Sequence, residues 1–258
     1  MKALIKINLI LKTAILLQAL LLASSGLAIE IPANLSRPDL DEVVQILGFN
    51  TGTKFLSNPY PLGGYSGFEV GLSTEFVNST DLSRLGAGTP KQSSFQYNRI
   101  SFGKGLYNNT DLFLQFIPFS SSNEISEYGG LFKWNFYQAR YLPFSISFLG
   151  HYSTINIQDS FINESLGYDL LGGINLSSFA LYFGAGEQKA RSTFARNVLD
   201  TGDPNISSGM NSTGTFVTRA TQIHSFVGLH VNVANVFLAA QIDRYEQPVY
   251  SAKLGLRF

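Results

Sequence analysis

The chain has 258 residues and a formal net charge of zero; 14% of its residues are charged, 13% are aromatic and none is cysteine. Balanced charge offers no basic surface for nucleic acid, and the missing thiols exclude disulfides and thiolate metal sites. The length suits one large all-β domain, and the hydrophobic content of 45% is ordinary, so the placement of the apolar residues carries the information.

The first 28 residues place Lys2, Lys6 and Lys12 before an apolar stretch from Thr13 to Leu22. The small residues Ala23, Ser24, Ser25, Gly26 and Ala28 follow. Basic, apolar, small is the order of a secretory signal, with cleavage expected after Ala28. The apolar core is too short for the ~20 residues of a membrane span. The mature chain is therefore expected to leave the cytoplasm, and without a cysteine it has no site for a lipoprotein anchor.

Residues 29–66 read as an N-terminal periplasmic segment. "DLDEVVQILG" predicts a short helix over 39–47, with Asp39 as cap, Glu42 three residues on, and Gly48 at its end. Leu40, Val43, Val44 and Leu47 form its apolar face. Residues 49–66 are a Pro/Gly-rich linker.

From Phe68 onward the hydrophobic period changes to two. Ten alternating segments fall near 67–77, 94–103, 110–118, 127–138, 143–154, 165–176, 178–188, 217–232, 235–245 and 249–258. Alternation fits a soluble sandwich or a membrane barrel; connection lengths and aromatic spacing favour the barrel. The joins at 78–93, 155–164 and 189–216 are long and all odd in order, and the even joins are short. This is the loop asymmetry of outer-membrane barrels, which have long outer loops and short inner turns. Phe68 and Phe76, Tyr128 and Phe136, Phe144 and Tyr152, and Tyr250 and Phe258 stand eight positions apart on their outward faces. Eight strand residues span ~26 Å, or ~20 Å at a ~40° tilt, close to the height of a barrel's apolar band.

The chain ends in "YSAKLGLRF", with Tyr250, Ala252, Leu254, Leu256 and Phe258 on one face. This terminal strand resembles the C-terminal signature of Gram-negative outer-membrane β-barrel proteins. The resemblance implies that the strand ending at Phe258 is read by the barrel-assembly machinery, and that outer-membrane lipids and lipopolysaccharide surround the barrel. The strand pattern extends the resemblance over residues 67–258 without selecting a family within the group.

The same phase points Glu69, Glu75, Lys133, Asp169, Asp243, Lys253 and Arg257 inward, where opposite charges are expected to pair across the lumen. Tyr137, Tyr182, Phe226 and Phe237 are expected to fill it, and the helix to block its periplasmic mouth. His151, His224 and His230 also face inward, as polar filler or as a proton-sensitive or metal site; strand positions alone do not show that the rings meet. His151 and Ser153 resemble part of the His-x-Ser motif of outer-membrane lipid A deacylases. That resemblance implies a base and a nucleophile, with Glu164 able to orient the base. Thr154 replaces the asparagine that commonly follows the serine, and the motif lies mid-chain.

The resulting expectation is an all-β, antiparallel, up-and-down transmembrane β-barrel of about ten strands, with eight or twelve as alternatives. It carries no cofactor, metal or catalytic residues. Its expected function is non-enzymatic, as a narrow channel or a structural surface protein; the alternative is a lipid-modifying hydrolase using His151 and Ser153.

Overall fold

The computed structural model describes residues 29–89, 94–117 and 125–258. The expected signal peptide at 1–28 lies outside the described residues. Ten antiparallel strands close into a barrel in sequence order, each hydrogen-bonded to its chain neighbours, with β1 joined to β10. They are β1 (Phe68–Asn78), β2 (Ser94–Gly105), β3 (Thr110–Phe116), β4 (Ile125–Gln138), β5 (Phe144–Ile157), β6 (Phe161–Leu176), β7 (Phe179–Phe194), β8 (Phe216–Val233), β9 (Val236–Arg244) and β10 (Pro248–Arg257). The terminal strand closes the barrel through Glu69↔Arg257 to Val77↔Val249. Phe258 extends this seam by exchanging backbone hydrogen bonds with Phe68.

Every expected segment is a strand, but several run further than the alternation indicated. The join expected at 155–164 shrinks to 158–160, where Gln158 and Asp159 adopt φ of 53° and 52°. Asn163, expected in that loop, lies in β6 and is 1% exposed. The seventh join remains long and carries α2 (Pro204–Gly209), capped by the Asp203 side chain accepting from Asn205 N–H. That bond holds the Asp203 carboxyl below its ordinary range.

All eight residues of the aromatic pairs face outward, from half-exposed Phe144 to Tyr128 at 65%. Between their two levels the outer face is apolar, with Leu112, Leu114, Phe132, Phe148, Leu170, Phe183, Val227 and Leu229 exposed. We call this zone the belt; an apolar exterior around a polar interior is the arrangement of a barrel in lipid. Beyond Tyr128, Tyr152 and Tyr250, toward the odd-numbered joins, the polarity reverses. There Val77, Phe95, Ile155, Ile157, Phe161, Phe194, Phe216 and Val249 are buried inside, while Asn156, Glu164, Arg191 and Arg219 face out beside the smaller exposed apolar side chains of Ile162 and Val217. We call this zone the collar.

The interior of the collar is apolar because the N-terminal segment occupies it. Helix α1 (Arg37–Val43) continues as a π-helical turn over Val44–Phe49. It begins before the expected Asp39. Ser36 takes the cap, and its N–H and Oγ donate to Asp39 Oδ2 at 2.9 and 2.6 Å. Pro38 fits the first turn, where a missing N–H costs nothing. Leu40, Val43, Val44, Leu47 and Phe49 pack with the apolar collar residues into one core. The helix therefore fills the end remote from the chain termini of the barrel, not the expected mouth beside Phe68 and Phe258. Burial of its apolar face requires an apolar partner, and the collar provides it.

Candidate functional site

The lumen is the candidate site, and residues 50–62 run along it from collar to belt. The wall binds this extended stretch almost step by step, as an otherwise unpaired backbone inside a barrel requires. Asn163 Nδ2 donates to Gly48 O at 2.8 Å at the collar end. Tyr182 Oη donates to Phe55 O at 3.1 Å, and Gln115 Nε2 to Lys54 O at 3.0 Å. Lys133 Nζ donates to Asn58 O at 3.0 Å and Tyr60 O at 2.8 Å. Asp111 accepts from Leu62 N–H at 3.0 Å, and Arg257 donates to Pro61 O at 2.6 Å.

The charged residues lie inside as the strand phase indicated, but they do not pair across an open lumen. Lys133 meets Asp111 on the adjacent strand at 2.9 Å, and Lys253 meets Glu69 across the β1–β10 seam at 2.6 Å. The segment on the axis separates opposite walls, so partners come from adjacent or next-but-one strands on the same side. Near the collar, Arg99 bridges Glu75 and Glu127 and donates to the carbonyls of Thr51 and Gly52. Lys54 of the segment stands 3.7 Å from Glu75. Arg99, Asp111, Glu127 and Lys54 were not singled out from the sequence. Arg99 shares its face of β2 with Tyr97 and Ser101, so period-two phase could have placed it inside.

Tyr182, Phe226 and Phe237 are buried as expected. Tyr137 is not: it is 49% exposed. A register shift between Asn135 and Tyr137 inserts one residue, and such a bulge moves every later side chain to the other face.

All three histidines are buried inside, and two of them meet. His224 Nε2 lies 2.8 Å from Asp169 Oδ1, and His151 Nε2 lies 3.3 Å from Asp169 Oδ2. The ring centroids of His151 and His224 are 6.2 Å apart at 85°. His230 stands apart, stacked on Phe237 at 4.9 Å. The deacylase-like trio does not assemble. Ser153 Oγ shares a hydrogen bond with Ser165 Oγ at 2.8 Å. Glu164 faces outward, 3.6 Å from Arg191 and 48% exposed.

No known protein family matches the chain, and no curated protein matches it. Among solved structures, the chain is similar to the N-terminal β-barrel domain of Pseudomonas aeruginosa OprF, with 12% identity and a TM-score of 0.33. That match covers 76% of this chain and 99% of that one. It is also similar to the KdgM porin in complex with disordered oligogalacturonate, at 8% identity over 74% and 98% of the chains with a TM-score of 0.34. Acinetobacter baumannii Omp33 matches at 9% identity over 77% and 98%, with a TM-score of 0.31.

Proposed function

We propose that the protein is a non-enzymatic bacterial outer-membrane barrel, closed by its own N-terminal segment, that acts as a structural surface protein. The observation that carries this reading is the occupied lumen. Residues 50–62 lie on its axis under hydrogen bonds from the wall, and α1 fills the collar. Ten strands give an interior near the size that side chains alone can fill, so an inserted segment leaves little room for solute. In this reading the long joins at 79–93 and 195–215 face outside the cell, and the chain termini of the barrel face the periplasm. On the outer wall, Lys189, Arg191 and Arg219 gather around a groove of about 280 Å³ also lined by Tyr152 and Leu166. Arg191 and Arg219 stand directly opposite each other on β7 and β8, a like-charge pair that Glu164, which lines the same groove 3.6 Å from Arg191, offsets only in part. We propose that this basic groove meets phosphates of lipopolysaccharide. The strand ending at Phe258 serves recognition by the barrel-assembly machinery.

Planar-bilayer recording on the purified mature protein tests closure. The expected result is conductance far below that of a general porin, with a clear increase when residues 29–56 are deleted from a chain that still shows a folded-barrel gel shift. Large, steady conductance from the intact protein contradicts the reading.

A further inference from the structure

We propose that His151, Asp169 and His224 form a binding site for one divalent transition-metal ion of the zinc class, set in the inner face of the barrel wall. The cluster draws on three strands, β5, β6 and β8, two of which are separated by β7. One donor atom from each residue lies within 4.8 Å of the others, and all three residues are buried. Two imidazole nitrogens and a carboxylate oxygen suit zinc and its first-row neighbours. At metal–ligand bonds of 2.0–2.1 Å, tetrahedral ligands stand about 3.4 Å from one another; here the two imidazoles face different oxygens of Asp169, His151 Nε2 at 3.3 Å from Oδ2 and His224 Nε2 at 2.8 Å from Oδ1, so binding one ion needs only a small turn of the carboxylate or a ring.

Three further observations support a site built for an ion. First, the donor atoms converge: His151 Nε2, His224 Nε2 and Asp169 Oδ1 are buried and meet in poor hydrogen-bond alignment, and both Nδ1 atoms are buried without an aligned partner as well. Two imidazole nitrogens turned toward one carboxylate need either a proton on each nitrogen or a cation between them, and a buried carboxylate charge without compensation is costly. A divalent ion supplies the compensating charge while both rings remain neutral, the form in which histidine binds metals.

Second, glycines create the space. Gly167 faces His151 across the β5–β6 pair, and Gly186 separates Asp169 from His224. A Cβ at Gly167 would stand 2.4 Å from His151 Nε2, and one at Gly186 would stand 2.2 Å from Asp169 Oδ1. Any side chain at either position would displace a donor.

Third, the second histidine is oriented. The Tyr245 ring stacks on His224 at 4.7 Å and 6°. Tyr245 Oη donates to Gln188 at 3.1 Å, and its ring lies against Phe49 of the inserted segment at 6.5 Å. An ion here would tie three strands together and, through Tyr245, fasten the wall to the segment. The inference stands on this cluster and does not depend on whether the lumen conducts.

Cobalt(II) titration of the chelator-stripped, detergent-purified mature protein tests the site, because tetrahedral cobalt has strong visible bands. One equivalent is expected to saturate the signal, and zinc to displace it. H224Q, H151Q and D169N should each weaken binding at least a hundredfold, while H230Q binds as the unmodified protein does. The folded-barrel gel shift identifies which variants are folded, and the separate substitutions allow for one that is not. Absence of a saturable signal in the unmodified protein would show an ion triad held by protons, and the proposal would fail. An unchanged signal in folded H224Q would also overturn it.

Discussion

The belt and the collar are one continuous sheet facing two different pairs of environments. In the belt, Phe132, Phe148, Leu170 and Leu229 face outward while Glu69, Lys133, Asp169 and Lys253 are buried inside. In the collar, Ile155, Ile157, Phe161 and Phe194 turn in on α1 and its π-helical continuation, and Arg191 and Arg219 turn out. The strand period is the same in both; the solvent on each side is not. The collar is therefore built like a small soluble barrel with an apolar core, and the belt like a membrane barrel whose interior sets buried charges beside an apolar cluster that includes Phe113, Leu131, Leu149, Leu171 and Phe226. The inserted segment follows this division, since residues 29–49 are held mainly by apolar burial, and residues 50–62 by hydrogen bonds and ion pairs together with the apolar anchors Phe55, Leu56 and Leu62.

Substitutions inside each zone sharpen the contrast. Lys133→Met removes the partner of buried Asp111 and two donors to the segment. Breaking a buried pair in this way should cost about 4 kcal/mol in urea unfolding from lipid vesicles. Leu47→Ala acts in the collar without touching a charge and should cost about 3 kcal/mol, as large-to-small core changes do. High salt should leave the Leu47→Ala deficit unchanged. The outer face gives the smallest and most discriminating effects. Leu254→Lys at belt height should cost about 2 kcal/mol, whereas Thr193→Lys on the collar exterior should fall within about 0.5 kcal/mol of the unmodified protein. Equal costs at the two outer positions would abolish the distinction between the zones.

The sequence made the belt legible because its two faces differ in polarity at every step, which revealed ten strands and the inward phase of the histidines. It hid the upper strands for a physical reason. "TINIQDSFINES" keeps its alternation, but Ile155, Ile157 and Phe161 point inward, opposite to the lipid-facing rule that ordered the belt. The turn at 158–160 carries positive φ on Gln158 and Asp159, with no glycine to announce it. The apolar face of the N-terminal helix was readable, but its partner was not, because the collar residues that meet it come from strands scattered along the chain from Val77 to Val249. The same scatter hid the cluster. His151, Asp169 and His224 could each be pointed inward from phase alone, but their meeting depends on the register of four strands and on the glycines at 167 and 186.

The occupied lumen can be tested by covalent linkage, with no competing thiol because the chain lacks cysteine. Asn163 on the inner face of β6 lies beside Gly48 of the segment: its Cγ stands 3.4 Å from where a Cβ at Gly48 would be. A G48C/N163C double variant expressed in an oxidising periplasm should form a disulfide, because the sulfur of a cysteine at 163 would fall near that Cγ within bonding reach. Peptide mass spectrometry of the folded protein should recover residues 48 and 163 as one linked species in nearly every molecule. Two free thiols in the folded barrel would place the N-terminal segment outside the lumen and contradict closure by the chain itself.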